Sequence, residues 1–404
     1  MTEVTLSQIL AFADLNSPVL LVARSTRSRA EAERVAAAPR LYANPEVSAA
    51  VGPRLGGGKV GVDVQVSVWQ QVQIAGERRV RLAAADRLRQ LTDADIEQMR
   101  WNVHCDVHAA FHQALVDRER ASLAERVVAF QEEVLSVVAR QIAAGETAKL
   151  NFRLAEAEAA QARQARLAAD QAYRVSRIRL AQLAGWPVAR APRAAGDPDT
   201  PREPPSAEAL LSTARSELPL LRAREAAVDE ARARVSVARR ERFPRPSFGV
   251  QYQREGNPAP EVPYNIVLGG VALSIPSFQT NQGERARAGA DVRVANAELE
   301  ASRFLLEGQV IQARSEVVAA SERVSSYGTE ILPRFEENLG LLRRSFELGE
   351  IDLLSLSVGR ERFMRIQSDA LVAQLDYFVA LAALERVVGI DLWRDEAHES
   401  KGEQ

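Results

Sequence analysis

Along most of this chain the apolar residues recur every three or four positions, the spacing that lines one face of a helix. In 115–142 the residues Leu123, Val127, Phe130, Val134, Val138 and Ile142 form a coiled-coil-like seam. Residues 77–144 contain no Gly and no Pro, which predicts a helix of roughly 100 Å. A return arm over 150–183 carries Leu150, Leu154, Leu167, Val175, Ile178 and Leu183, with Ala filling much of the seam. A second pair of arms follows. Phe335, Leu339, Leu342 and Phe346 mark the outgoing one, and Leu371, Leu375, Phe378, Leu381 and Leu384 the return. The second outgoing arm contains Gly289, Gly308, Gly328, Pro333 and Gly340. It is expected to bend or break near Pro333, and any opening motion is expected in 329–370.

In two places the period changes from helical to two. Val47, Ala49 and Val51 alternate with Glu46, Ser48 and Ala50. After Gly56-Gly57-Gly58, Val62, Val64, Val66 and Val68 alternate with Asp63, Gln65 and Ser67, the clearest strand signal in the chain. Later, Phe248, Val250 and Tyr252 alternate with Gly249, Gln251 and Gln253, and a loop over 256–263 leads to 264–275. Each half thus carries one β-hairpin between helices. Such isolated hairpins are marginal in water, whereas strands of ~9–11 tilted residues suit a membrane-spanning barrel. Four strands cannot close a barrel, but several chains contributing four each can.

The two halves are copies. Pro18 and Pro219 are 201 positions apart, and so are Pro45 and Pro246. Gly76-Glu77-Arg78 and Gly283-Glu284-Arg285 open the long arms, Gly145-Glu146 and Gly349-Glu350 turn them, and Gly185 and Gly389 close them. The predicted organisation is a first repeat over 1–186, with a β-hairpin at about 45–74 and a helical hairpin at 77–184. A Pro-rich linker over 187–205 follows. The second repeat, 206–392, has its β-hairpin at about 246–277 and its helical hairpin at 284–388. A disordered tail, 393–404, ends the chain.

Composition narrows the function. The chain has 404 residues, a net charge of −2 and 26% charged residues, a balance that argues against a nucleic-acid partner. A single cysteine, Cys105, excludes an internal disulfide and a Cys-rich zinc motif. No continuous apolar run reaches the ~18 residues of a transmembrane helix. The stretch Met1–Leu6 has no basic or apolar signal region, so no signal peptide is expected in this sequence. That favours a soluble coiled-coil scaffold as the competing reading; the strands argue against it. No Ser/His/Asp set, phosphate loop or carboxylate pair stands out, so no enzyme activity and no cofactor are expected. His104, His108 and His112 fall on one helix face at i, i+4 and i+8, with Cys105 and Asp106 adjacent. Two His at i, i+4 can share a metal. The alternative is polar packing between helices with His112 in an aromatic slot, and it is preferred because no further ligand completes a site.

The order and spacing of these pieces resemble the TolC-type outer-membrane efflux channels over about residues 4–392. The likeness rests on Leu6–Pro18 ending in Asn-Ser-Pro, Ala43-Asn44-Pro45, Ile74–Arg78, Phe243–Pro246, Ser274–Phe278 with Asn281-Gln282-Gly283, and Phe346–Glu350. The Gly-Glu-Arg and Asn-Gln-Gly exits look most like the metal-efflux (CzcC/CusC-like) branch. The resemblance implies a mostly α fold with a small β part. Duplicated long helical hairpins would form an α-barrel, and four strands per chain would build a 12-stranded trimeric transmembrane β-barrel. It implies a homotrimer in outer-membrane lipid, extending into the periplasm and working with a periplasmic adaptor (membrane fusion) protein and an inner-membrane RND-type transporter. Heavy-metal cations are the implied cargo, with type I secretion or drug efflux as alternatives of the same fold. The hairpin turns would dock the adaptor through Gly145, Glu146, Leu150, Gly349, Glu350, Ile351 and Leu353. The family's acidic aperture positions match Ser355 and Val358 here, so Asp352, Arg360 and Glu361 are the substitutes considered beside Ser355. Trp69, Tyr252 and Tyr264 are candidates for an interfacial aromatic girdle.

Overall fold

The computed structural model describes residues 2–56, 59–144, 149–196, 201–256, 264–348 and 350–392. The first half runs β1 (Glu3–Val4), α1 (Leu6–Asn16), α2 (Pro18–Ala37), β2 (Glu46–Gly56), β3 (Lys59–Gln71), α3 (Glu77–Ala143) and α4 (Lys149–Ala184). Strand β4 (Arg193–Ala194) follows. The second half runs α5 (Ala207–Glu217), α6 (Pro219–Arg240), β5 (Ser247–Glu255), β6 (Tyr264–Ala272), α7 (Gln282–Ser326), α8 (Leu332–Glu347) and α9 (Leu353–Val388). By internal contacts the chain divides into two compact units. One draws on 1–24, 96–220 and 302–404, the other on 25–95 and 221–301. Each takes residues from both repeats.

In the first unit, proline sets the joints. Pro18 and Pro219 each occupy the first position of a helix, where the missing N–H is not needed. The residue before each is extended, as proline demands: Ser17 at ψ 126° and Leu218 at ψ 115°. Against each break lies the glycine that closes the same repeat's long hairpin. Gly185 (φ +76°) would place a Cβ 2.0 Å from the Asn16 carbonyl oxygen, and Gly389 (φ +87°) would place one 2.7 Å from the Leu218 Cα. Positive φ and this close approach leave room only for glycine. Thr5 caps α1 in a reciprocal box with Gln8, and Ser206 caps α5. The core at the first joint joins Ile9, Ala13 and Leu20 to Val107, Phe111, Leu115 and Leu180. Along the long arms a smaller cluster joins Phe130, Val134 and Val138 to Ala155.

Four expectations need correction. The stretch 6–37 does pass as long and apolar enough to cross a membrane by length and composition, but it is two helices parted at Ser17. The segment expected as linker is partly built in. Val188–Arg190 form a short 3-10 turn, and β4 pairs in parallel with β1. Arg118 donates to the Ala194 and Gly196 carbonyls at 2.8 Å, and Ala194 is buried. The second outgoing arm keeps Gly289 and Gly308 inside an unbroken α7 and Gly340 inside α8; only Tyr327–Ile331 departs, as one π turn. There the Leu332 N–H reaches back five residues to Tyr327. Widening the helix just ahead of Pro333 relieves the clash its ring makes with the carbonyl four residues earlier. Finally, the Gly-Glu-Arg motifs are not equivalent. Gly76 (φ +75°) precedes α3, whereas Asn281 (φ +59°) takes that role before α7 and leaves Gly283 inside the helix.

The second unit holds a four-stranded antiparallel sheet of order β2-β3-β5-β6. Pairs such as Val66↔Tyr252 and Tyr252↔Val267 put Val62, Val64, Val66, Val68, Val250, Tyr252 and Val267 on one face. Asp63, Gln65, Ser67, Gln251 and Gln253 share the other. Pro53 is tolerated because β2 is an edge. Trp69 belongs to the polar face: an added Cβ on Gly249 or Gly270 would fall 2.3 and 2.8 Å from its ring. The indole fills a slot those glycines leave open, so it is not part of an aromatic belt on the valine face.

Candidate functional site

The sheet is the first functional surface. Its apolar face is the exposed one, with Val62, Val66, Val68, Phe248, Val250 and Val267 all solvent-facing. Its polar face is the more covered. Ser67 is buried and bonded to Ser48 at 2.8 Å. Arg54 bridges Asp63 (3.0 Å) and Glu255 (3.2 Å), and Asp63 also accepts the Gly256 N–H at 2.9 Å. A soluble sheet inverts this pattern. β2 and β6 are free edges, each offering a row of unpaired backbone groups. None of this ionic cluster was singled out in the sequence; only the alternation was.

The hairpin turns come next. Gly145, Glu146 and Gly349 lie outside the described residues. Leu150 is two-thirds exposed at the start of α4. Glu350 is exposed and its N–H donates to the Ser345 carbonyl; Ile351 is half-buried, and Leu353 is the first residue of α9. Leu348 and Leu354 add exposed apolar surface beside them. Asp352 is the N-cap of α9. It accepts the Ser355 N–H at 2.9 Å and the Ser355 hydroxyl at 2.5 Å, and the hydroxyl, then the amide, hold its carboxyl below the usual range. These two aperture candidates therefore start a helix. Arg360 lies 3.9 Å over the Phe130 ring of α3, and Glu361 pairs with Arg365 at 2.8 Å.

The histidine stripe faces α9. His108 Nδ1 is 2.7 Å from Glu385 Oε2 with both side chains buried. The other Glu385 oxygen accepts the Leu392 N–H at 3.1 Å, and its carbonyl accepts Trp101 Nε1 at 3.2 Å. His104 lies 3.7 Å from Asp391 and stacks on Trp101. His112 lies flat on Phe378, with centroids 3.7 Å apart. Burial, then the His108 charge, keeps His112 well below its ordinary pKa. Burial pushes Glu385 up, and the His108 bond pulls it partly back. Burial also raises the Cys105 thiol. Among the described residues no group of three or more His, Cys, Asp or Glu is placed to hold a metal; the stripe ties α3 to α9. Glu385 escaped the sequence reading, although a carboxylate four residues after Leu381 on an apolar stripe is a legible signal.

A family model described as outer membrane efflux protein matches residues 10–186 and 210–390. Over 320 residues the chain is 24% identical to the cobalt-zinc-cadmium resistance protein CzcC of Cupriavidus metallidurans, covering 79% of this chain and 75% of that one. It is 26% identical over 323 residues to the nickel-cobalt-cadmium resistance protein NccC of Alcaligenes xylosoxydans xylosoxydans, covering 79% and 71%. Its fold is similar to that of the Campylobacter jejuni CmeC outer membrane channel, with a TM-score of 0.77 at 13% identity over 98% of this chain and 88% of that one.

Proposed function

Because the chain belongs to the outer membrane efflux protein family, we propose that three copies of it form an exit duct for divalent heavy-metal cations. Three sheets of four strands would close a barrel in the outer membrane, edge β6 of one copy meeting edge β2 of the next. The long hairpins would continue the tunnel into the periplasm. One observation carries this reading: the sheet turns its valines outward and its ionic groups inward, the arrangement of a barrel wall with lipid outside and water within. A soluble scaffold has no use for it.

The duct is passive. A periplasmic adaptor and an inner-membrane RND-type transporter supply substrate and energy, and the chain performs no catalytic step. The adaptor docks at the turns 145–150 and 349–353, where Leu150, Leu348 and Leu354 are exposed. The Arg360–Phe130 contact ties the second hairpin to the first. Metal cargo is supported by the resistance proteins to which the chain is similar.

The test deletes the gene and challenges the cells with Zn²⁺, Co²⁺, Cd²⁺, Ni²⁺ and a drug panel. Selective metal sensitivity, restored by the wild-type gene, is expected. Sensitivity to drugs alone would transfer the duct to drug efflux. Recovery of the exported chain as a soluble monomer without detergent would overturn the duct itself.

A further inference from the structure

The two ends of the sheet differ sharply in charge. All four strands meet helices at one end, since β2 and β5 begin there and β3 and β6 finish there, with Glu46↔Trp69, Gln71↔Ser247 and Ser247↔Ala272 in register. The connecting segments 38–45, 72–81, 239–246 and 273–287 hold ten arginines against three glutamates, in a chain whose net charge is −2. At the opposite end, 54–63 and 254–264 hold three cations and three anions.

Part of this arginine excess builds the junction. Arg78 donates to the Ala38 carbonyl at 2.7 Å, and Arg240 to the Ala75 carbonyl at 3.2 Å. Arg81 and Arg245 both lie over the Tyr42 ring, at 4.8 and 4.9 Å. One of the three glutamates, Glu77, is itself buried. The remainder has no such task. Arg40, Arg79, Arg239 and Arg285 are exposed and make no side-chain hydrogen bond or ion pair among the described residues. Beside them the apolar surface continues past the strands. Ile74, Leu273 and Ile275 are exposed, and Phe278 is 89% exposed. An apolar band edged by unpaired arginines has the chemistry of a membrane–water boundary, where stems lie along hydrocarbon and guanidinium groups reach phosphates.

We propose that this arginine collar binds the headgroups of anionic phospholipids at the helix-side rim of the membrane. The inference rests on the membrane duct reading. Continuity with the valine face and charge complementarity both favour a lipid surface over a protein partner. The collar gives the duct a fixed depth in the bilayer and a preference for the anionic fraction of its lipid.

The test inserts the full chain into nanodiscs of mixed phosphatidylethanolamine and phosphatidylglycerol. Lipid retained after detergent extraction is then counted by native mass spectrometry. The wild type is expected to retain phosphatidylglycerol selectively, with a preference that shrinks as salt rises. Combining Arg40→Gln, Arg79→Gln, Arg239→Gln and Arg285→Gln is expected to erase it, at roughly fivefold per arginine. Arg254→Gln at the other end is expected to leave it intact. Insertion without any anionic preference, an unchanged preference in the fourfold variant, or full displacement of the lipid by inorganic phosphate would each overturn the proposal. Should the fourfold variant fail to assemble, a salt-independent preference in the wild type would do the same. Failure to enter any bilayer would instead sink the duct reading.

Discussion

In the helical unit Leu180, Leu381 and Leu384 lose all contact with solvent, while in the sheet Val62, Val66, Val68 and Val250 each keep more than a third of their surface exposed. The first region completes the core around its helix joints within one chain: the closing glycines and a histidine–glutamate contact find partners there, although Phe304, Leu305 and Ile311 of α7 stay exposed. The second does not. Ser48–Ser67 and the Arg54 ion pairs join polar atoms on its covered face, but its apolar atoms are not covered. At ~25 cal/mol per Å², such a face is stable only against lipid or another apolar surface. One sequence thus uses the same hydrophobic effect in opposite directions at the helix joints and on the sheet.

The contrast breaks most readily by charging the outward face. Val66→Arg and Val250→Arg are expected to abolish membrane assembly, at about 2–4 kcal/mol per arginine near mid-bilayer and once per copy. Yield of the detergent-stable oligomer reads this out. Leu381→Ala is expected to cost about 2–5 kcal/mol in thermal unfolding. Val66→Ala should stay within about 0.5 kcal/mol in detergent, because that site has no protein core to lose. Next in size, Gly185→Ala and Gly389→Ala force a side chain into a left-handed backbone against neighbouring main chain. Each should lose at least about 1 kcal/mol, with Gly185 the worse because of its 2.0 Å approach.

A further effect concerns pH within the helical unit. His112 is held below its unfolded pKa, so the native state refuses a proton that the unfolded chain accepts. Stability is therefore lost as pH falls below about 6.5. Glu385 is raised, so the native state takes its proton first, and this contribution strengthens folding as pH falls towards about 4.5. The two slopes oppose. His112→Phe should unmask the Glu385 slope and make the variant relatively more stable at pH 5.5 than at pH 7.5, by at most about 1.4 kcal/mol per pH unit. Parallel unfolding curves at both pH values would remove the linkage.

Much of this contrast could be read from the residues alone. The absence of Gly and Pro over 77–144 gave α3 almost to its ends, Glu77–Ala143. Strict alternation gave the valine face, because a period of two assigns every side chain once one is placed. The equivalence of Pro18 with Pro219 and of the closing glycines Gly185 and Gly389 followed from duplication. Tertiary geometry was harder to read. Trp69 reads as a belt residue until β5 and β6 supply Gly249 and Gly270 on its own face. Pro333 reads as a bend or break, and the form the departure takes, one π turn over Tyr327–Ile331, is set by backbone bonding that spacing does not reveal. The histidine stripe reads as polar packing between helices, but its carboxylate partner Glu385, 277 residues from His108, is not found by spacing. Asp352 and Ser355, the aperture candidates, also bond each other at the start of α9, a local cap that the aperture reading did not anticipate.

The outward valine face is tested most directly by spin labels placed one at a time along β3 in a Cys105→Ala background. Positions 62 to 68 in the reconstituted oligomer would be probed with oxygen, which partitions into lipid, and with a water-soluble nickel chelate. The account predicts oxygen access at 62, 64, 66 and 68 and chelate access at 63, 65 and 67. Equal chelate access at all seven positions, or the reverse alternation, would contradict it.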